Sequence, residues 1–201
     1  MCQEVFELVK NMDLSHVEVR LALQCAPVIM GIKIANLLCV SKEDEALVEK
    51  ILNGTRIDFY CIGQQDKKTV YLLFLSPEFE IYMNEVMEQQ MLSPYGYSES
   101  SVAEVLEKLR VRYMWYMKKQ NKFPHELGIF LGYPIEDVEG FIKNKGENYL
   151  YAGYWKVYQD AEDKKLLFDA YESAKEGLLL LVSHGYSMRS IIVYTQDNFV
   201  Y

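Results

Sequence analysis

The chain has 201 residues, 50% of them hydrophobic and 25% charged, with a formal net charge of −8 and an isoelectric point near 5.0. This is ordinary globular composition, and a chain of this length can bury roughly 70% of the surface its unfolded form exposes. The acidic balance repels phosphate backbones and excludes general nucleic-acid binding.

The elements follow in chain order. MCQEVFELVKNMDLSHVE has neither a basic leader region nor an apolar core, so no signal peptide is expected, and Cys2 stands too near the start to be a lipoprotein cysteine. Val5, Phe6, Leu8, Val9 and Met12 predict a short helix over 3–12. Ser15 and Glu18 have capping-box spacing for a second helix, with Leu14 and Val19 as its hydrophobic staple and Pro27 as its end. Residues 28–40 read as extended, buried chain. LALQCAPVIMGIKIANLLCV (21–40) is the one stretch resembling a membrane span. Lys33 at its centre would cost about 2.5–3.5 kcal/mol on insertion, which assigns it to the core instead.

Ser41 and Asp44 predict the start of a third helix, and Asn53-Gly54 its end. TRIDFYCIG (55–63) and TVYLLFL (69–75), joined by a polar turn, predict a β-hairpin. Ser76-Pro77 opens another helix. SPYGYSESS (93–101) reads as a linker, with its core at 93–97, inside a single domain of 1–201. It separates an α+β lobe over 1–92 from a mostly helical lobe over 98–201.

The second lobe opens with a long helix capped by Ser101 and Glu104. Pro124 breaks that helix and begins a new one, which places His125 and Glu126 in a first helical turn. ELGIFLGYPIEDVEGFI (126–142) scans as a helix-turn-helix pair with Gly132 at the turn. Its second helix would present Glu136, Asp137 and Glu139 outward, which is the wrong charge for DNA recognition. Residues 147–158 predict a strand, and Asp160 caps an amphipathic helix through Val182 that ends at His184-Gly185. The tail SIIVYTQDNFVY (190–201) reads as an edge strand or partly disordered chain. The fold class is therefore α+β: an N-terminal αββα lobe with a hairpin, and a helical C-terminal lobe with one or two strands.

No motif prescribes a reaction. GxSxG, Walker A, GxGxxG and HExxH are all missing. The four cysteines are dispersed with no CxxC pair, and with three histidines they predict reduced core thiols and no metal site. The sequence names no cofactor. Aromatic residues crowd the region from Tyr113 to Tyr158, just after the basic run Lys108, Arg110, Arg112, Lys118, Lys119 and Lys122.

Two function classes follow. One is a non-catalytic binding or accessory protein that uses the surface of 108–158, with Lys118 and Lys119, for a partner protein or an anionic small molecule. The other is an enzyme or cofactor-binding protein centred on His125. Glu126 would there share a proton, Tyr133 and Lys156 would contact substrate, and Trp155 would stack. Cys25 is a weaker candidate, because Pro27 and its helix suggest a core position.

QCAPVIMGIKIANLL (24–38), FPHELGIFLGYPIEDVEGFI (123–142) and GYWKVY (153–158) carry a nearly full-length resemblance to a bacterial domain family of unknown function, found mainly in anaerobic Gram-positive bacteria. The resemblance implies a cytoplasmic protein and supplies no reaction. Position 152 is alanine where that family commonly carries cysteine, which argues against metal or redox chemistry beside the GYWKVY strand.

Overall fold

The computed structural model describes residues 3–98 and 101–198. The order is α1 (Gln3–Lys10), α2 (Val17–Ile29), β1 (Ala35–Ser41), α3 (Glu45–Leu52), β2 (Ile57–Gln65), β3 (Lys68–Leu75), α4 (Glu78–Glu88), α5 (Val102–Met117), α6 (Leu127–Phe130), α7 (Ile135–Lys143), β4 (Tyr151–Ala152), β5 (Lys156–Val157), α8 (Ala161–Ser183) and α9 (Met188–Asn198). The fold is α+β. No helix among the described residues is long and apolar enough to cross a membrane.

The expected hairpin forms, and residues 35–41 add a third strand to give an antiparallel sheet of order β1-β3-β2. Strand β3 is apolar along most of its length because it is central and buried on both faces. Successive side chains point to opposite sides of a strand. Tyr71, Leu73 and Leu75 therefore face one core with α1, α2, α3, α8 and α9. Val70 and Leu72 face the other, with α4, α5 and α6. A third, smaller cluster of Val157, Phe168 and Tyr171 joins the β4–β5 hairpin to α8.

Several local expectations are corrected. Pro27 does not end α2 but lies inside its last turn, fully within the core, and the helix runs on to Ile29. A proline there removes one backbone donor, while the apolar face on either side keeps the turn packed. The predicted cap at Ser15 is replaced by a local turn in which Ser15 donates to the Asp13 carboxylate at 2.6 Å. The tail expected as edge strand or disordered chain forms α9, with Met188, Ile191 and Ile192 buried in the first core; residues 199–201 lie outside the described residues. Its apolar spacing is helical, and Arg189 pins it by donating to the carbonyls of Ile51 and Asn53 at 3.0 and 2.7 Å.

Two expected caps hold: the Ser101 hydroxyl accepts from the Glu104 amide at 3.3 Å, and Gly185 ends α8 with φ +85°. Pro124 does not start a helix. Helix α5 stops at Met117, α6 begins only at Leu127, and His125 and Glu126 form a turn before it. The β signal over 147–158 resolves into two two-residue strands.

Candidate functional site

The three stretches quoted above converge at Tyr133. Gly132 takes φ +71° in the turn between α6 and α7, and a Cβ there would lie 2.6 Å from Ile34. Only a glycine permits that close approach in the left-handed conformation. The turn thereby presses Tyr133 against the loop joining α2 to β1. The Lys33 ammonium sits over the Tyr133 ring, 5.1 Å from its centroid, and Trp155 stacks on the same ring at 4.5 Å with an interplanar angle of 25°.

Asp137 orients this assembly. The α7 carboxylate expected to face solvent is 2% exposed. Its Oδ2 accepts from the Trp155 indole at 2.7 Å, and its Oδ1 accepts from the amides of Tyr158 and Gln159 at 2.7 and 3.3 Å. A buried carboxylate is tolerated when donors saturate it, and here the donors belong to GYWKVY and the residue after it. Gly140, one helical turn on, makes room for Tyr158: a Cβ would stand 2.5 Å from its ring. Asp137 and Gly140 thus form one face of α7, a clasp that receives the β4–β5 hairpin. Gly140→Ala is expected to destabilise the protein by about 1–3 kcal/mol, the usual cost of overpacking. Urea unfolding beside an exposed control such as Glu139→Ala would check this, and equal midpoints would remove the clasp from the account.

Beside the clasp lies a cleft of about 450 Å³. Its floor is aliphatic, built from Leu37, Leu127, Leu131 and Val138. The rings of Phe123, Tyr133, Phe141 and Trp155 line the cleft together with His125 and Lys156. The exposed His125 ring lies between two phenyl rings, 5.4 Å from Phe123 and 5.0 Å from Phe141. Burial pushes the Tyr133 hydroxyl pKa up to about 12, so it remains a neutral phenol near pH 7.

The structure therefore brings His125, Tyr133, Trp155 and Lys156 to one place. It does not bring Glu126, Lys118 or Lys119 with them. Glu126 is 2% exposed and turns to α5, accepting from Arg112 Nε at 2.5 Å and from the Tyr97 hydroxyl at 3.3 Å. Lys118 and Lys119 are exposed at the end of α5 and do not line the cleft. Cys25 is fully buried; its thiol donates to the Leu37 carbonyl at 3.6 Å, and burial pushes its pKa up. No three histidine, cysteine, aspartate or glutamate side chains converge as metal ligands among the described residues.

Two residues of the site carry no motif. In the sequence Lys33 stands out only as a cost against membrane insertion, yet it is 7% exposed and donates to the Ala35 carbonyl. Burial lowers its pKa from 10.5 to about 7. Its signal was a lone lysine in a stretch already assigned to the core. Asp137 had a fainter signal, an acid three residues before a helical glycine.

No curated protein and no solved structure matches the chain. Residues 21–192 match the model of a family described as a protein of unknown function, DUF3793. That span takes in all three convergent stretches, and the chain belongs to this family.

Proposed function

We propose that the protein is a non-catalytic binding protein whose cleft holds a flat, largely apolar small molecule. The observation that carries this reading is the cleft itself. A concavity of about 450 Å³ with an aliphatic floor and aromatic walls lies in the size range of small-molecule sites. Its ring wall is also fastened in advance, because Trp155 is held by Asp137 and by stacking on Tyr133. A preorganised wall lowers the ordering cost of binding.

Catalysis centred on His125 receives less support. The carboxylate next in sequence, Glu126, engages Arg112 and Tyr97, so a proton-sharing pair would need to be rebuilt. Lys118 and Lys119 stand outside the cleft and add nothing to recognition within it.

The test is a titration of ¹⁵N-labelled protein with 1-naphthalenemethanol, a neutral bicyclic probe, following the indole signals of the two tryptophans. Trp155 is on the cleft wall, whereas Trp115 is 49% exposed on α5. The Trp155 signal should shift saturably while that of Trp115 stays in place. A dissociation constant of about 1 mM corresponds to about 4.1 kcal/mol, which lies within the ceiling for a ligand of this size, and saturation in the low-millimolar range is expected. Movement of Trp115 alone, or of neither signal at several-millimolar probe, would overturn the assignment of the cleft.

A further inference from the structure

Resting on the cleft as a binding site, we infer that its ligand is an aromatic anion whose charged group docks on the Lys156 ammonium. The cleft lining contains one lysine, one histidine and one carboxylate: Lys156, His125 and Asp137. Both oxygens of Asp137 are engaged by the Trp155 indole and the amides of Tyr158 and Gln159. Its charge is therefore spent on holding the wall, and it has little capacity left for a cationic ligand.

Lys156 is in the opposite condition. An ammonium has three protons to donate, and one goes to the Gly146 carbonyl at 2.6 Å. The group rests near the rings of Tyr149 and Phe141, 4.8 and 5.9 Å from their centroids. These contacts stabilise the cation and fix its position. No carboxylate lies within ion-pair distance of it among the described residues, whereas Lys10, Lys165 and Lys175 each pair with a glutamate on their own helix. An unpaired, ring-held lysine on the wall of an apolar cleft, in a chain of net charge −8, is the arrangement an anion would complete. His125 also lines the cleft and, like Lys156, lies beside the Phe141 ring, so its ring nitrogens can add a second hydrogen bond.

The size and lining set the remainder of the ligand. The aliphatic floor offers no hydrogen-bond partners, so the body should be apolar. The Phe141 and Trp155 rings favour a flat, aromatic body over a branched aliphatic one. A mono- or bicyclic aromatic carboxylate, or a similar ring with another single anionic group, has this chemistry.

The experiment compares three probes of one shape on the wild-type protein: 1-naphthoate, 1-naphthalenemethanol and 1-naphthylmethylamine. Each is titrated against the Trp155 indole signal, with isothermal calorimetry for affinity. Naphthoate should bind about tenfold more tightly than the alcohol, the usual gain from a hydrogen bond to a charged group, and the amine should bind no more tightly than the alcohol. Lys156→Met should bring naphthoate down to the affinity of the alcohol for the same variant, and Lys156→Arg should retain its advantage. An unshifted Trp155 signal in the free Lys156→Met variant would verify that the wall is intact.

Equal affinity for naphthoate and the alcohol would overturn the anion assignment while leaving the cleft as a binding site. Tighter binding of the amine would overturn it in favour of a cationic ligand. Failure of all three probes to move Trp155 would remove the cleft reading itself.

Discussion

Asp137→Ala is expected to destabilise the protein by about 3 kcal/mol or more and to release the β4–β5 hairpin from α7. The substitution leaves the Trp155 indole and the amides of Tyr158 and Gln159 without their acceptor. An orphaned buried donor costs about 1–3 kcal/mol. The three costs do not add fully, because Tyr158 is only half-buried and Gln159 exposed, so water can reach part of the gap. Asp137→Asn keeps one oxygen acceptor and loses the charge, so a smaller loss of about 1–2 kcal/mol is expected. Urea unfolding supplies the energies, and the Trp155 indole signal reports whether the hydrogen bond survives. A variant as stable as wild type would place the hold on GYWKVY elsewhere, in the ring contacts of Trp155 with Tyr133 and Phe168.

The second large effect concerns Lys33. Burial lowers its pKa from 10.5 to about 7, so the unfolded chain holds the proton across an interval in which the folded chain has released it. Above 10.5 neither state carries the charge and no penalty exists. As pH falls from 10.5 towards 7 the penalty accumulates, and below about 7 it is fully present. Stability must therefore rise with pH across this interval, by up to about 1.4 kcal/mol per unit.

Other buried groups narrow the window. The Cys25 thiol is pushed up from 9.0, and the hydroxyls of Tyr71, Tyr82, Tyr133 and Tyr171 are pushed from 10.0 to about 12. Groups with raised values favour the folded state at low pH and lose that contribution as pH rises past their unfolded values, so they oppose the lysine above about pH 9. Between pH 7 and 9 the lysine acts against little opposition, and a gain of about 2–3 kcal/mol is expected. Lys33→Met removes the desolvated amine, so it should be more stable than wild type at pH 7 and flatter in its pH dependence. Thermal unfolding of both proteins at pH 7 and pH 9 measures this. Parallel profiles would mean that the amine reaches water and carries no penalty.

Such a stabilising substitution also bears on function. A buried amine that costs stability persists where it supports something else, and Lys33 lies over the ring that forms the cleft wall. If Lys33→Met also weakened probe binding, Lys33 would join the residues that position Tyr133. Unchanged binding would confine it to the core.

Much of the framework was legible in the chain because its signals are local. The hairpin announces itself through two β-rich runs and a short polar turn. The long helix is marked by Ser101 and Glu104, the end of α8 by His184-Gly185, and the α6–α7 turn by Gly132. Each depends on backbone chemistry within a few residues, which sequence expresses directly. The errors also had a common cause. Pro27 marks a helix end by its local cost, yet packing on both sides of α2 carries the helix through it. The run IIVY in the tail reads locally as strand, yet Met188, Ile191 and Ile192 stand at helical spacing and are buried together in the first core as one face of α9.

Within the site, the sequence alone determined that His125, Tyr133, Trp155 and Lys156 belong to unusual, aromatic-rich segments. Only the tertiary structure decided that these four share a cleft, that Glu126 turns away from it, and that Asp137 faces inward. The physical reason is that burial and pairing of a charge depend on which donors arrive from elsewhere in the chain. The amides and indole that make Asp137 tolerable in the interior lie some twenty residues downstream. Lys33 likewise becomes a low-pKa amine only once the α6–α7 turn closes over it, and no local pattern encodes that closure.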